Sequence, residues 1–348
     1  MTTSTDTNDA NDSTGSLTRR STRTVLSVIT AVPAVTVLPA VLGLLLLGSA
    51  APAGAESASG TSRPDAEAAR ADITKTLGFV PQFFLKFPEE ILPGAWDEMK
   101  SLQLNPHTAL PGRSKELIGL AVAAQIPCRY CILAHTEFAR LNGATDVEIG
   151  EAVAMAAITR HWSTFLNGIQ TDETKFRTEI ATIVSNVKRS SSEHKGQTAQ
   201  PIAVTDGQTA LTEITRSLGY APEFLRRFPD VARAGAWRQM RDVQLSPSTA
   251  TNGKTKELLG LAVASQIPCR FCVIAHTELA KLNGATDVEI TEAIAMASLT
   301  RDLSTLLNGM QVDEAQFRKD VEHVVRNVTA AASGGGSGAA KKAHTASR

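Results

Sequence analysis

A single internal repeat constrains this chain more than any other feature. Residues 112–145 and 253–286 align without a gap at an offset of 141, differing at 9 of 34 positions. Most differences are conservative, such as Arg113/Lys254, Ile118/Leu259 and Tyr130/Phe271. The same offset pairs Gly78 with Gly219, Pro81 with Pro222, Trp96 with Trp237 and Phe176 with Phe317. A duplicated domain of about 115–120 residues follows, with copies at 70–188 and 210–329. The polar segment 189–209 between them reads as a linker. The tail 333–348, opening on Gly334–Gly338, reads as disordered.

Each copy has a helical pattern. Glu116 to Gln125 is rich in Leu, Ala, Ile and Val, and Ile126-Pro127 interrupts it. Pro127 suits the first turn of a second helix carrying Cys128, which Asn142-Gly143 should stop. Thr145-Asp146-Val147-Glu148, repeated from Thr286 to Glu289, spells a capping box that starts a third helix. No convincing alternating strand occurs in either copy, so the fold class is all-α, two tandem helical domains.

The N-terminus is set apart from the repeats. Residues 1–23 are polar and include Arg19, Arg20 and Arg23, and 24–55 carry no charge. Ala53-Gly54-Ala55 then supplies the small residues of a cleavage site, so 1–55 reads as an export signal, periplasmic or extracellular in destination. The arginine pair hints at the twin-arginine route. The alternative is a retained membrane anchor at 24–50, against which Pro33 and Pro39 count.

The balance of 35 basic and 35 acidic residues, with 5% aromatics, gives no case for nucleic acid. The four cysteines form two C-x-x-C pairs, Cys128/Cys131 and Cys269/Cys272, each followed four residues later by His135 or His276. On a helix, positions 128, 131 and 135 fall within about 60° of one another. The first thiol sits at the helix N-terminus, where unpaired N–H groups favour thiolate. His135, one turn beyond Cys131, is placed to take that cysteine's proton directly or through a water. Glu116, on the preceding helix, can hold the imidazole's tautomer if the two helices fold together. Glu257, Cys269, Cys272 and His276 repeat the set.

Haem attachment is excluded, because Ile132 and Val273 stand where the histidine would be needed. A zinc site of two cysteines, histidine and glutamate has suitable ligands but crowds three onto one helix. Buried structural cysteines or a stabilising disulfide are the plainest alternative.

The run Glu116, Cys128-Arg129-Tyr130-Cys131 and His135 resembles the signature of the AhpD alkylhydroperoxidase family, within the carboxymuconolactone decarboxylase-like superfamily. The resemblance covers both repeats. It implies an all-α, commonly oligomeric fold and thiol-dependent peroxidase or disulfide reductase activity. Cys131 and Cys272 would attack the hydroperoxide, and Cys128 and Cys269 would be the more exposed resolving partners. His135 with Glu116, and His276 with Glu257, would relay protons. No cofactor or metal is implied, and an external dithiol must act as reductant. Tyr130 and Phe271 stand where that family has a second histidine. The superfamily's namesake decarboxylases lack a C-x-x-C pair, which argues against decarboxylation here. The other readings are a protein disulfide oxidoreductase, a carboxymuconolactone decarboxylase-like enzyme, and a helical scaffold whose thiols only cross-link. An internal pseudo-dimer or a homo-oligomer is expected.

Among other residues, Trp96 and Trp237 read as core. His161 and Trp162 occur in the first copy alone, facing Asp302 and Leu303 in the second, so His161 reads as a packing residue or a copy-specific pocket wall. Glu137 and Glu278 should point away from the site.

Overall fold

The computed structural model describes residues 64–193 and 202–343, with side chains described as far as Ser333. The export signal or anchor read at 1–55 lies outside the described residues. Among those described, no helix is long and apolar enough to cross a membrane.

Regular structure among the described residues is helical throughout. The first copy contributes α1 (Pro64–Leu77), α2 (Leu92–Glu98), α3 (Gly112–Gln125), α4 (Arg129–Leu141), α5 (Asp146–Gly168) and α6 (Glu173–Glu193). The second contributes α7 (Gly207–Leu218), α8 (Glu223–Arg227), α9 (Asp230–Gln239), α10 (Gly253–Gln266), α11 (Arg270–Leu282), α12 (Asp287–Gly309) and α13 (Glu314–Ala343). After α2 and α9 the chain widens into π-helical turns, Met99–Gln103 and Met240–Gln244.

The local signals act as expected. Thr145 Oγ1 accepts from Glu148 N at 3.2 Å, while Thr145 N donates to Glu148 Oε2 at 2.9 Å, and Thr286 with Glu289 repeats this. The α4 end passes through Gly143 at φ 82°, a left-handed conformation that glycine adopts without a Cβ clash. Two boundaries differ from the sequence reading. The segment read as a linker is shorter at both ends, since α6 runs to Glu193 and Asp206 caps α7 by accepting from Thr209 N at 2.8 Å. Residues 194–201 lie outside the described ones. The last helix continues past Ser333 into the glycine run read as a disordered tail. Adding a residue to an existing helix is much easier than nucleating one.

The larger difference is in the packing. Helices α3 and α10 are buried along ten consecutive residues each, Ser114–Ala123 and Thr255–Ala264, and lie against one another at the centre. With α5 and α12 they form a middle layer that joins Leu117, Val122 and Met155 to Leu258, Val263 and Met296. On one side, Ile73, Phe84, Trp96 and Tyr130 of the first copy pack against Leu303, Phe317 and Val321 of the second. On the other, Trp162, Phe176 and Ile180 of the first copy pack against Ile214, Phe224, Trp237 and Phe271 of the second. The end of each copy thus completes the core begun by the other, and the described helices belong to one compact unit. Two crossed caps tie the copies further. Glu292 accepts from Ala109 N (2.7 Å) and Leu110 N (2.8 Å), and Glu151 from Ala250 N (2.9 Å) and Thr251 N (2.7 Å).

Candidate functional site

Helices α3 and α4 fold back on one another across the Ile126-Pro127 break, and this brings the predicted residues together. Cys128 is the N-cap of α4 rather than part of it, and its sulfur accepts from Cys131 N at 3.3 Å. Glu116 Oε2 lies 2.7 Å from His135 Nδ1, and the second copy repeats the distance between Glu257 and His276. Both carboxylates and both imidazoles are buried. The imidazole reaches Glu116 because Gly119 leaves room for it: a Cβ there would stand 2.2 Å from His135 Cε1, and Gly260 is placed alike against His276.

The first site holds free thiols at Cys128 and Cys131, whereas Cys269 and Cys272 form a disulfide with Cα atoms 5.3 Å apart. In the free pair the Cys131 thiol donates to Cys128. This, against the opposing effect of burial and with help from Ser304, Cys131 N–H and Asn308, brings Cys128 down to about 6. The same hydrogen bond, followed by burial, pushes Cys131 up. The hydrogen bond thus favours the charged form at Cys128 and the protonated form at Cys131.

Two expectations are corrected here. Cys128 is not an exposed resolving thiol: both cysteines are buried, and α12 of the other copy lies over Cys128. The lowering falls on Cys128, the thiol expected at the helix N-terminus. His135 does not turn Nε2 to Cys131; it faces Thr300 Oγ1 at 3.3 Å, as His276 faces Thr159 at 3.2 Å. With Nδ1–H donating to Glu116, Nε2 is the acceptor and the threonine hydroxyl the donor. As for zinc, each imidazole has both nitrogens engaged, and among the described residues no group of three or more His, Cys, Asp or Glu gathers as a metal site.

Several site residues had no part in the sequence reading. The π-helical turns deliver Gln103 and Gln244, whose amides donate to Glu116 (3.0 and 3.2 Å) and Glu257 (3.2 and 3.3 Å). The wholly buried Lys115 fastens the loop after that turn, donating to the carbonyls of Leu102 (2.8 Å) and Asn105 (2.6 Å). Lys256 does the same at Val243 and Ser246, and burial lowers the pKa of both lysines. From the opposite copy come Thr300, Ser304 and Asn308 on α12, and Thr159, Ser163 and Asn167 on α5. Their i, i+4, i+8 spacing, repeated at the offset of 141, was the signal available.

A cavity of about 750 Å³ opens onto the first site and is lined by Cys131, Glu116, His135 and Thr300 beneath a wall of Phe83, Leu303 and Phe317. Its counterpart of about 850 Å³ is lined by Cys272, Glu257, His276 and Thr159, with Trp162 in the place of Leu303. Trp162, not His161, is the copy-specific wall. The His161 ring lies 5.1 Å from Trp162 and 5.5 Å from Phe228, a packing role. Trp96 and Trp237 are core residues, and Glu137 pairs with Arg140 at 2.8 Å on the surface.

Residues 92–171 and 222–315 match the sequence model of the carboxymuconolactone decarboxylase family. The chain belongs to that family. A 52-residue stretch is 46% identical to uncharacterized protein 4 in the cox locus of Paracoccus denitrificans. That stretch is 15% of this chain and 47% of the other protein, so the chain spans about half the length of this relative. A crystal structure from Burkholderia xenovorans, described as a gamma-carboxymuconolactone decarboxylase subunit, is 18% identical, with a TM-score of 0.46 over 74% of this chain and 98% of the other. The family segments fall one within each repeat. They exclude α6 and nearly all of α13, the helices that cross to the other copy's cavity.

Proposed function

We propose that this member of the family is a thiol-dependent peroxidase that reduces hydroperoxides through a dithiol/disulfide cycle in each copy. One observation carries the reading: in both copies a C-x-x-C pair stands at the N-terminus of a helix, beside a buried His–Glu pair and with its second cysteine on a cavity.

In this scheme Cys131, the sulfur that lines the cavity, passes its proton to the Cys128 thiolate and attacks the terminal oxygen of the hydroperoxide. The O–O bond breaks, Cys131 becomes a sulfenic acid, and the alkoxide leaves as an alcohol after taking a proton. That proton is the one Cys128 received: the free Nε2 of His135, whose Nδ1–H is held by Glu116, takes it up as Cys128 loses it and hands it on to the alkoxide. The Cys128 thiolate then attacks the sulfenic sulfur, the S–O bond breaks, and the expelled hydroxide takes a proton from solvent to leave as water, which completes the disulfide. An external dithiol restores both thiols by two exchange steps and is itself oxidised to a disulfide. The scheme draws on this chain's own side chains and that dithiol.

The family name alone would suit a decarboxylase equally; the two C-x-x-C pairs favour redox chemistry. Sulfurs at most 4% exposed, reached through a cavity, favour small substrates over exchange with another protein's disulfide. From residues 1–55 we also infer export, and from the crossed packing a single chain that works as an internal pseudo-dimer.

The test is stopped-flow consumption of an alkyl hydroperoxide by the fully reduced chain, beside Cys131→Ser/Cys272→Ser. Two disulfides formed per chain, faster than a free thiol reacts and lost in the double variant, are expected. A rate no faster than that of a free thiol would sink the reading. In Cys128→Ser, a sulfenic acid trapped at Cys131 identifies the attacking sulfur.

A further inference from the structure

We propose that the two copies exchange thiolate donors: Asn308 of the second copy holds the Cys128 sulfur of the first as an anion, and Asn167 of the first does so for Cys269 of the second. The inference rests on the dithiol reading above but not on the identity of the oxidant.

The Asn308 side-chain amide is fixed at one hydrogen and aimed with the other. Nδ2 donates to Ser304 O, one turn back on α12, at 2.7 Å, and reaches Cys128 Sγ at 3.5 Å. Asn167 repeats the arrangement on α5, 2.7 Å from Ser163 O and 3.8 Å from Cys269 Sγ. An amide held in this way cannot turn to offer its carbonyl oxygen to the sulfur without giving up its bond to the serine carbonyl. Hydrogen bonds to an ionised group are the strong ones, and this one lies in a buried pocket where water cannot replace it.

The other groups around Cys128 leave this role open. From α4 come the Cys131 thiol and N–H, which serve the sulfur from within the same copy. Tyr130, also on α4, donates its hydroxyl to Val312 O at 2.6 Å, away from the sulfur. Arg129 and Glu314 pair with each other at 3.2 Å and are largely exposed, and Asp313 caps α13 at Gln316 N (2.7 Å). The described donors that reach the sulfur from outside its own copy are Asn308 and its neighbour Ser304. The dithiol of each copy is therefore activated by a helix that belongs to the other.

The experiment isolates one dithiol at a time in the full-length chain. In a Cys269→Ser/Cys272→Ser background, thiolate absorbance near 240 nm reports the Cys128 pair alone. Asn308→Leu should raise its midpoint by about one pH unit, a roughly tenfold loss of thiolate at a pH below both midpoints. Asn167→Leu, made in the same background, should leave the midpoint where it was. In a Cys128→Ser/Cys131→Ser background the two variants should exchange effects. Asn308→Asp keeps the side-chain volume should the leucine variant misfold, and its carboxylate beside the sulfur should raise the midpoint further. An unmoved midpoint in Asn308→Asp, or equal shifts from Asn308 and Asn167 variants, would overturn the proposal. The titration uses no peroxide, so a protein that shows the crossed shifts but fails to consume hydroperoxide refutes the peroxidase reading alone.

Discussion

Set side by side, the two dithiol sites agree where protons would move and differ where a substrate would rest. The His–Glu contact is 2.7 Å in both, and the His–Thr contact is 3.3 Å in one and 3.2 Å in the other, although one pair of cysteines is reduced and the other joined. The walls diverge: Leu303 against Trp162, Phe138 against Leu279. The two copies are therefore free to differ in what they admit while sharing one chemistry.

The strongest way to break this equivalence is to remove one orienting carboxylate. Glu116→Gln should slow oxidation of the first pair about a hundredfold while the second keeps its rate, giving biphasic kinetics with equal amplitudes. A single slowed phase would mean that the sites are not independent. Next in size is the close approach at Gly119. An added methyl group would stand 2.2 Å from the imidazole, so Gly119→Ala should cost about 1–3 kcal/mol in denaturant unfolding and misalign His135 alone. Gly260→Ala should match it at His276.

The redox difference gives a pH test. Cys128 falls from 9.0 to about 6 in the folded state, so between these values the unfolded chain binds the extra proton. The reduced protein should therefore gain stability as pH rises from 6 to 9, by at most about 1.4 kcal/mol per unit, and lose the gain as pH falls through 6. Protein oxidised at both sites should lack that slope, as should reduced Cys128→Ser in its first site; urea unfolding at pH 6, 7 and 8 decides it. The smallest effect should come from Tyr130→Phe, which makes the first site resemble the second. Loss of the bond to Val312 O should cost about 1 kcal/mol and leave the rate of thiol oxidation unchanged.

What the sequence could tell followed from distance along the chain. The helix break at Ile126-Pro127, the stop at Gly143, the Thr145 cap and the pairing of Glu116 with His135 all rest on signals spread over twenty residues or fewer. The partners that complete the site lie 165 residues away at Thr300 and 180 at Asn308, on a helix of the other copy, and their i, i+4, i+8 spacing, repeated at the offset of 141, does not say which thiols they face. Gln103 escaped for another reason: a π-helical turn has no composition of its own, so the register that aims the amide at Glu116 left no trace in the pattern. The misjudged exposure of Cys128 has the same origin as the missed asparagine, since the helix that covers the sulfur is the one that carries Asn308.

The crossing of helices also bears on what can be lost from such a chain. If mutation stripped one copy of its cysteines, its α5 or α12 would still furnish the threonine, serine and asparagine that the surviving dithiol requires. A chemically silent half would remain indispensable, and a gene trimmed to the active half would encode a site without its lid, its proton partner or its counter-donor.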